Sequence, residues 1–144
     1  MNEKLRQEIK KELTMDPVLT KEGKWVRLGN TKLEFLVRPA TAHNKEFQKI
    51  LLQDENYKIF DTLRANPDAL KEEPGLIKKA ASIILGTIIL DIRKDGVSKE
   101  ELGSLEVDDL VWIMQDFETD FVSVLMHSMN RKNFTAITDE QEKN

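Results

Sequence analysis

The stretch Pro74-Gly-Leu-Ile-Lys-Lys-Ala80-Ala-Ser-Ile-Ile-Leu-Gly86-Thr-Ile-Ile-Leu-Asp91-Ile92 decides the fold. Leu76, Ile77, Ala80, Ala81, Ile84, Ile88 and Ile92 recur at helical spacing, and Pro74 suits the first position of a helix. Between Ile83 and Leu90 the segment is apolar nearly all round, which predicts the central, most buried helix. Its β-branched content makes a strand the competing reading. The apolar run Ala80–Leu90 is about half the ~20 residues a spanning helix needs and stops at Asp91.

Upstream, Lys24 to Arg38 has a different period. Trp25-Val26-Arg27-Leu28, then Gly29-Asn30, then Lys32-Leu33-Glu34-Phe35-Leu36-Val37-Arg38 reads as a β-hairpin, since Gly-Asn tolerates the positive φ of a tight turn. Leu33, Phe35 and Val37 share one face, and Pro39 ends the strand. Before it, Asn2 to Leu13 reads as a short amphipathic helix capped by Asn2, with Leu5, Ile9 and Leu13 on a stripe one residue wide. Met15–Gly23 reads as a linker. Beyond the hairpin, helical stripes cover about 42–53 (Phe47, Ile50, Leu51) and about 55–65 (Tyr57, Phe60, Leu63). Asn66-Pro67 is a further cap, Ser98-Lys-Glu-Glu101 a capping box, and Val107 to Leu125 a long helix with a restart at Asp116–Thr119.

The expected fold is α+β and mainly α: an N-terminal β-hairpin followed by a four- to five-helix bundle. Residues 1–22 form a helix and linker, 23–134 a single globular domain, and 135–144 a flexible tail. Leu, Ile, Val and Phe make up 42 of the 144 residues, ample for a core. Twenty-two basic and 26 acidic residues alternate in sign and give a net charge of −4, so no basic block offers itself to a phosphate backbone. The charged N-terminus carries no signal-peptide core. The protein is expected to be soluble and intracellular, with neither nucleic acid nor membrane as a partner.

No reaction centre is legible. Cysteine is absent, removing thiolate nucleophiles and Cys-based zinc sites. Asp91-Ile-Arg-Lys-Asp95-Gly96 places Arg93 and Leu102 where a calcium loop needs its third and twelfth ligands. His43 and His127 have no metal-ligand partner at suitable spacing. Asp108, Asp109, Asp116, Glu118 and Asp120 interleave with an apolar stripe and read as its solvated face. No enzyme, cofactor or metal is therefore expected, and the chemistry points to binding. Trp112, evenly balanced between core and surface, and Phe134, which reads equally as a helix stop folded inward, are the candidate contact residues, with Ile137 in the tail beside Phe134. Trp25 opens a strand and reads as core.

The order of several segments carries a resemblance. Gly23-Lys-Trp25-Val26-Arg-Leu28 is followed by Phe35-Leu-Val-Arg38-Pro39 and Thr41-Ala-His-Asn44-Lys45. Then come Ala80-Ala-Ser-Ile-Ile-Leu-Gly86-Thr-Ile-Ile-Leu-Asp91, Asp95-Gly96, and a closing Asp120-Phe-Val-Ser-Val-Leu-Met-His-Ser-Met-Asn130-Arg-Lys-Asn133-Phe134. Over Gly23–Phe134 the chain resembles the small tail assembly chaperones of long-tailed bacteriophages and prophages. Ile92 departs from the aromatic more often found after the Asp. The resemblance implies a non-enzymatic protein of the bacterial host cytoplasm that binds the long helical tape measure protein, keeps it soluble and helps recruit tail tube subunits. Self-association is a further expected partnering. A structural virion component or small adaptor is the alternative reading, and an enzyme using the Asp108–Asp120 carboxylates with His127 a third.

Overall fold

A computed structural model describes residues 1–66, 68 and 72–135. Among them are eight α-helices and three strands. Helices α1 (Glu3–Leu13) and α2 (Pro17–Glu22) precede strands β1 (Lys24–Arg27) and β2 (Leu33–Val37). Then follow α3 (Lys45–Leu52), α4 (Tyr57–Ala65), α5 (Pro74–Ile84), β3 (Ile89–Lys94), α6 (Lys99–Leu102), α7 (Val107–Asp116) and α8 (Glu118–Met129). Short 3-10 turns cover Gln53–Glu55 and Arg131–Phe134.

The expected hairpin-then-bundle arrangement is overturned. The hairpin forms two strands of a three-stranded antiparallel sheet, β1-β2-β3, whose third strand comes from the stretch expected to be the central helix. Helix α5 stops at Ile84, Gly86 takes φ +92°, and the chain re-enters as β3. Leu36 pairs with Asp91 but Val37 pairs with Ile89, so a bulge leaves Leu90 opposite no residue of β2. The bulge sets Ile89 and Ile92, both buried, three residues apart. A bulged strand therefore imitates the i, i+3 spacing of a helix.

One face of the sheet, with Val26, Phe35 and Ile92 in register, meets the helical core. On the other face Arg93 stacks over the Trp25 ring at 4.1 Å and pairs with Glu34 at 3.1 Å. Trp25 is thus half-buried on the outer face, not in the core. The core helices are α5 and α7, which bring Ile77, Ala80, Ala81 and Ile84 together with Leu110, Ile113 and Met114.

Met15–Gly23, expected as a linker, holds a helix. Asp16 caps α2 by accepting from the Val18 and Leu19 N–H groups, Pro17 takes the first turn, and Leu19 is buried. Helix α1 forms under its Asn2 cap, whose side chain accepts from Leu5 N–H at 2.8 Å, yet buries none of its residues. The long helix expected over 107–125 is two helices meeting at Phe117, at the restart position read from the sequence. Ser98 caps α6 by accepting from the Glu101 N–H. Pro67 and the tail from residue 136, including Ile137, lie outside the described residues.

Two polar side chains fasten the sheet to the helices. Asn44 is fully buried; its side-chain oxygen accepts from Phe47 N–H at 3.2 Å, capping α3, while its amide donates to the Thr87 carbonyl at 2.7 Å. Arg38, also buried, donates to the Thr20 carbonyl at 2.9 Å and to Glu46 at 3.0 Å.

Candidate functional site

Helix α8 is apolar on two sides. Phe121, Val124 and Ser128 are buried against the core, whereas Val122, Met126 and Met129 are 38%, 65% and 54% exposed. At 100° per residue these three fall within about 60° of one another and form a ridge along the helix. The ridge is held in place at its far end, where Ala40 N–H, just past β2, donates to the Ser128 carbonyl at 2.8 Å.

Met129 also stands at the mouth of an apolar cleft of about 200 Å³ between α3, α4 and α8. Phe47, Leu51, Phe60 and Leu125 line it, Tyr57 is 42% exposed beside it, and Asp61 and Arg64 mark its rim. Beside the cleft, α3 and α4 turn sharply. Asp54 and Glu55 adopt positive φ (49° and 59°), the Asn56 amide donates to the Ile50 carbonyl at 2.9 Å, and Phe47 meets Phe60 edge-on at 5.9 Å. Two non-glycine residues in the left-handed region are a local strain that the surrounding contacts hold.

The residues singled out from the sequence separate. Trp112 is 54% exposed and stacks edge-on against the 43% exposed Phe117 at 5.3 Å, making a second apolar patch at the α7–α8 junction. Phe134, which the sequence left open between an apolar group awaiting a partner and a helix stop folded inward, is wholly buried. Its ring packs edge-on against His127 and its carbonyl accepts from Asp16 N–H at 2.7 Å. It folds back as a stop to α8 because burying an aromatic ring is favourable and the 3-10 turn supplies the reversal. Val122, Met126 and Met129 were not singled out. The signal for them was the breadth of apolar residues over 121–129, wider than one buried face requires.

Three carboxylates elsewhere serve the fold: Asp91, Glu46 and Asp109. Partial burial pushes the Asp91 carboxyl up, but hydrogen bonds from the Lys99 ammonium and the Ile92 N–H outweigh it and hold Asp91 below its ordinary value of 3.8. The Asp91–Gly96 segment is thus a strand and turn closed by an ion pair. Glu46 is likewise held below its ordinary 4.5, by its own backbone N–H and then by Arg38. A carboxylate whose folded value is depressed adds stability above its unfolded value and loses it as pH falls through the folded one. Glu46→Gln with Asp91→Asn should therefore lower the urea midpoint at neutral pH and leave it unchanged at a pH below both folded values. An equal gap at both pH values would show that these pairs do not set the acid response. Asp109 accepts from Glu106 N–H at 3.0 Å as a helix cap. Among the described residues no group of three or more His, Asp or Glu side chains could hold a metal ion, and no helix is long and apolar enough to cross a membrane.

No protein family, curated protein or solved structure matches the chain.

Proposed function

We propose that the protein is a tail assembly chaperone of the phage type: a non-enzymatic binder that covers apolar helical segments of the tape measure protein, keeps that client soluble and helps bring in tail tube subunits. The observation that supports this reading is the bare ridge Val122–Met126–Met129 running into the α3–α4–α8 cleft. An amphipathic client helix presents anchors at i, i+3, i+4 and i+7, and a ridge bordering an apolar cleft of this kind accepts such a face. Methionine suits the task, because its flexible thioether side chain adapts to varied apolar partners. The order of sequence segments over Gly23–Phe134 supports the same reading. Trp112 and Phe117 form a second surface on which the client or tube subunit could rest.

Co-expression tests it. A phage tape measure protein co-expressed with this chain should move from the insoluble to the soluble fraction and co-purify. Met126→Glu with Met129→Glu should abolish that rescue while leaving the circular dichroism spectrum unchanged, since both side chains are exposed. A client that stays insoluble and never co-purifies with the unaltered chain sinks the reading.

A further inference from the structure

Strand β3 lies at one edge of the sheet, and side chains close its outer side. Leu28 N–H donates to the Leu33 carbonyl at 2.9 Å, which marks that pair as a bonded one. Bonded and non-bonded pairs alternate along an antiparallel ladder. Val26–Phe35 is therefore bonded and Phe35–Ile92 is not, so Ile92 turns its N–H and carbonyl away from β2. Both still find partners. The N–H donates to the Asp91 carboxylate at 2.8 Å, and the carbonyl accepts from the Lys99 ammonium at 3.1 Å. Lys99 also donates to Asp91, so one ammonium ties α6 to the edge at two points. Little apolar burial backs it. No residue from 93 to 109 is buried, and within 97–102 only Val97 and Leu102 are half-buried. Glycines at positive φ bracket the segment, Gly96 at +81° and Gly103 at +73°, and a Cβ at either would meet nothing within 4 Å. Leu102 walls a cleft of about 190 Å³ that Leu33, Ile92, Leu105, Trp112 and Ile113 also line.

We infer that residues 97–102 are a strap that swings about Gly96 and Gly103 while the rest of the fold stays closed, and that Lys99 is its latch. Segments with few buried apolar contacts and exposed backbone bonds open at a lower free energy than the whole fold. The two glycines, standing in open space, absorb the change in backbone dihedrals that a hinge requires. The latch sits in the middle of the strap and touches only the edge of β3, so releasing it leaves the core undisturbed. Swinging away lifts Leu102 from the cleft, uncovers the Ile92 side chain and leaves the Ile92 carbonyl facing water. An open strand edge is a template for another chain, so the closed strap also keeps β3 from pairing outside its own sheet. The inference does not depend on the client, since it concerns the chain alone.

Because the chain has no cysteine, a single introduced thiol reads the opening directly. Ile92→Cys places one in the cleft beside the strap, and Val124→Cys places one in α8, each at a buried position. In the full chain the Ile92→Cys thiol should react with a maleimide faster than the Val124→Cys thiol. Adding Lys99→Met, which keeps the aliphatic stem and removes the ammonium, should raise the first rate about tenfold, as loss of two hydrogen bonds to a charged donor predicts, and leave the second unchanged. Lys99→Arg, which retains a cationic donor, should hold the first rate near that of the unaltered latch. Hydrogen exchange of the cysteine-free chain is the second measurement, independent of whether the thiol variants fold. There Lys99→Met should speed exchange at Leu102 and Gly103, whose N–H groups donate to the Ser98 and Lys99 carbonyls, and spare Leu85 and Phe117. Equal acceleration at both thiols, or at all four amides, would mean that Lys99 serves the whole fold, and overturns the strap. So does a Lys99→Met chain whose Ile92→Cys labelling and Leu102 exchange keep their original rates.

Discussion

Phe134→Ala is expected to cost about 3–5 kcal/mol in urea unfolding, the range for removing a buried aromatic ring. The ring is fully buried and packs against His127, so its loss opens a cavity under the last turn of α8. The backbone at the same point receives the Asp16 N–H, so the damage should spread to α2 and to the base of α1. Hydrogen exchange should show faster opening of residues 15–22 in the variant than in the unaltered chain. A loss below about 1 kcal/mol would mean that neighbouring side chains refill the space, and the assignment of Phe134 as the clasp between the two ends would fall.

Asn44→Ala should be nearly as damaging, at about 2–4 kcal/mol. The cap on α3 contributes about 1 kcal/mol, and the Thr87 carbonyl, deprived of the Asn44 amide inside the core, adds about 1–3 kcal/mol. Asn44→Asp separates the two contributions. It keeps an oxygen for the Phe47 N–H but turns the group facing Thr87 from donor to acceptor. If Asp restores full stability, the contact with the 85–88 turn is dispensable and only the cap matters.

Much of the local structure was legible. The Asn2 cap, the Gly29-Asn30 hairpin, the entry of α5 at Pro74 and the Ser98 cap all follow from side-chain chemistry within four residues. The errors came where a distant partner decides. Nothing near Ile88–Ile92 reveals that β2 waits with an open edge, and the bulge at Leu90 disguises the strand by its spacing. Met15–Gly23 looked like a connection because six residues show too little periodicity, although Asp16-Pro17 is a cap followed by a first-turn proline. At the candidate site the sequence left Trp112 evenly balanced between core and surface, because its position beside the Leu110–Met114–Phe117 stripe fits either; the structure leaves it 54% exposed. The sequence left Phe134 open, since an apolar residue beside a polar tail reads the same whether it folds inward or waits outside.

The pairing of Met15 with Thr135 has a consequence during synthesis. A chain emerging from the ribosome presents Leu19 and the two hairpin strands long before β3 or the Arg131–Phe134 turn exists to cover them. Parts joined across a long stretch of sequence, as Met15 and Thr135 are, close late. The nascent polypeptide therefore keeps Leu19 and the hairpin strands open until the Arg131–Phe134 turn has emerged, and formation of that turn is the event that seals them.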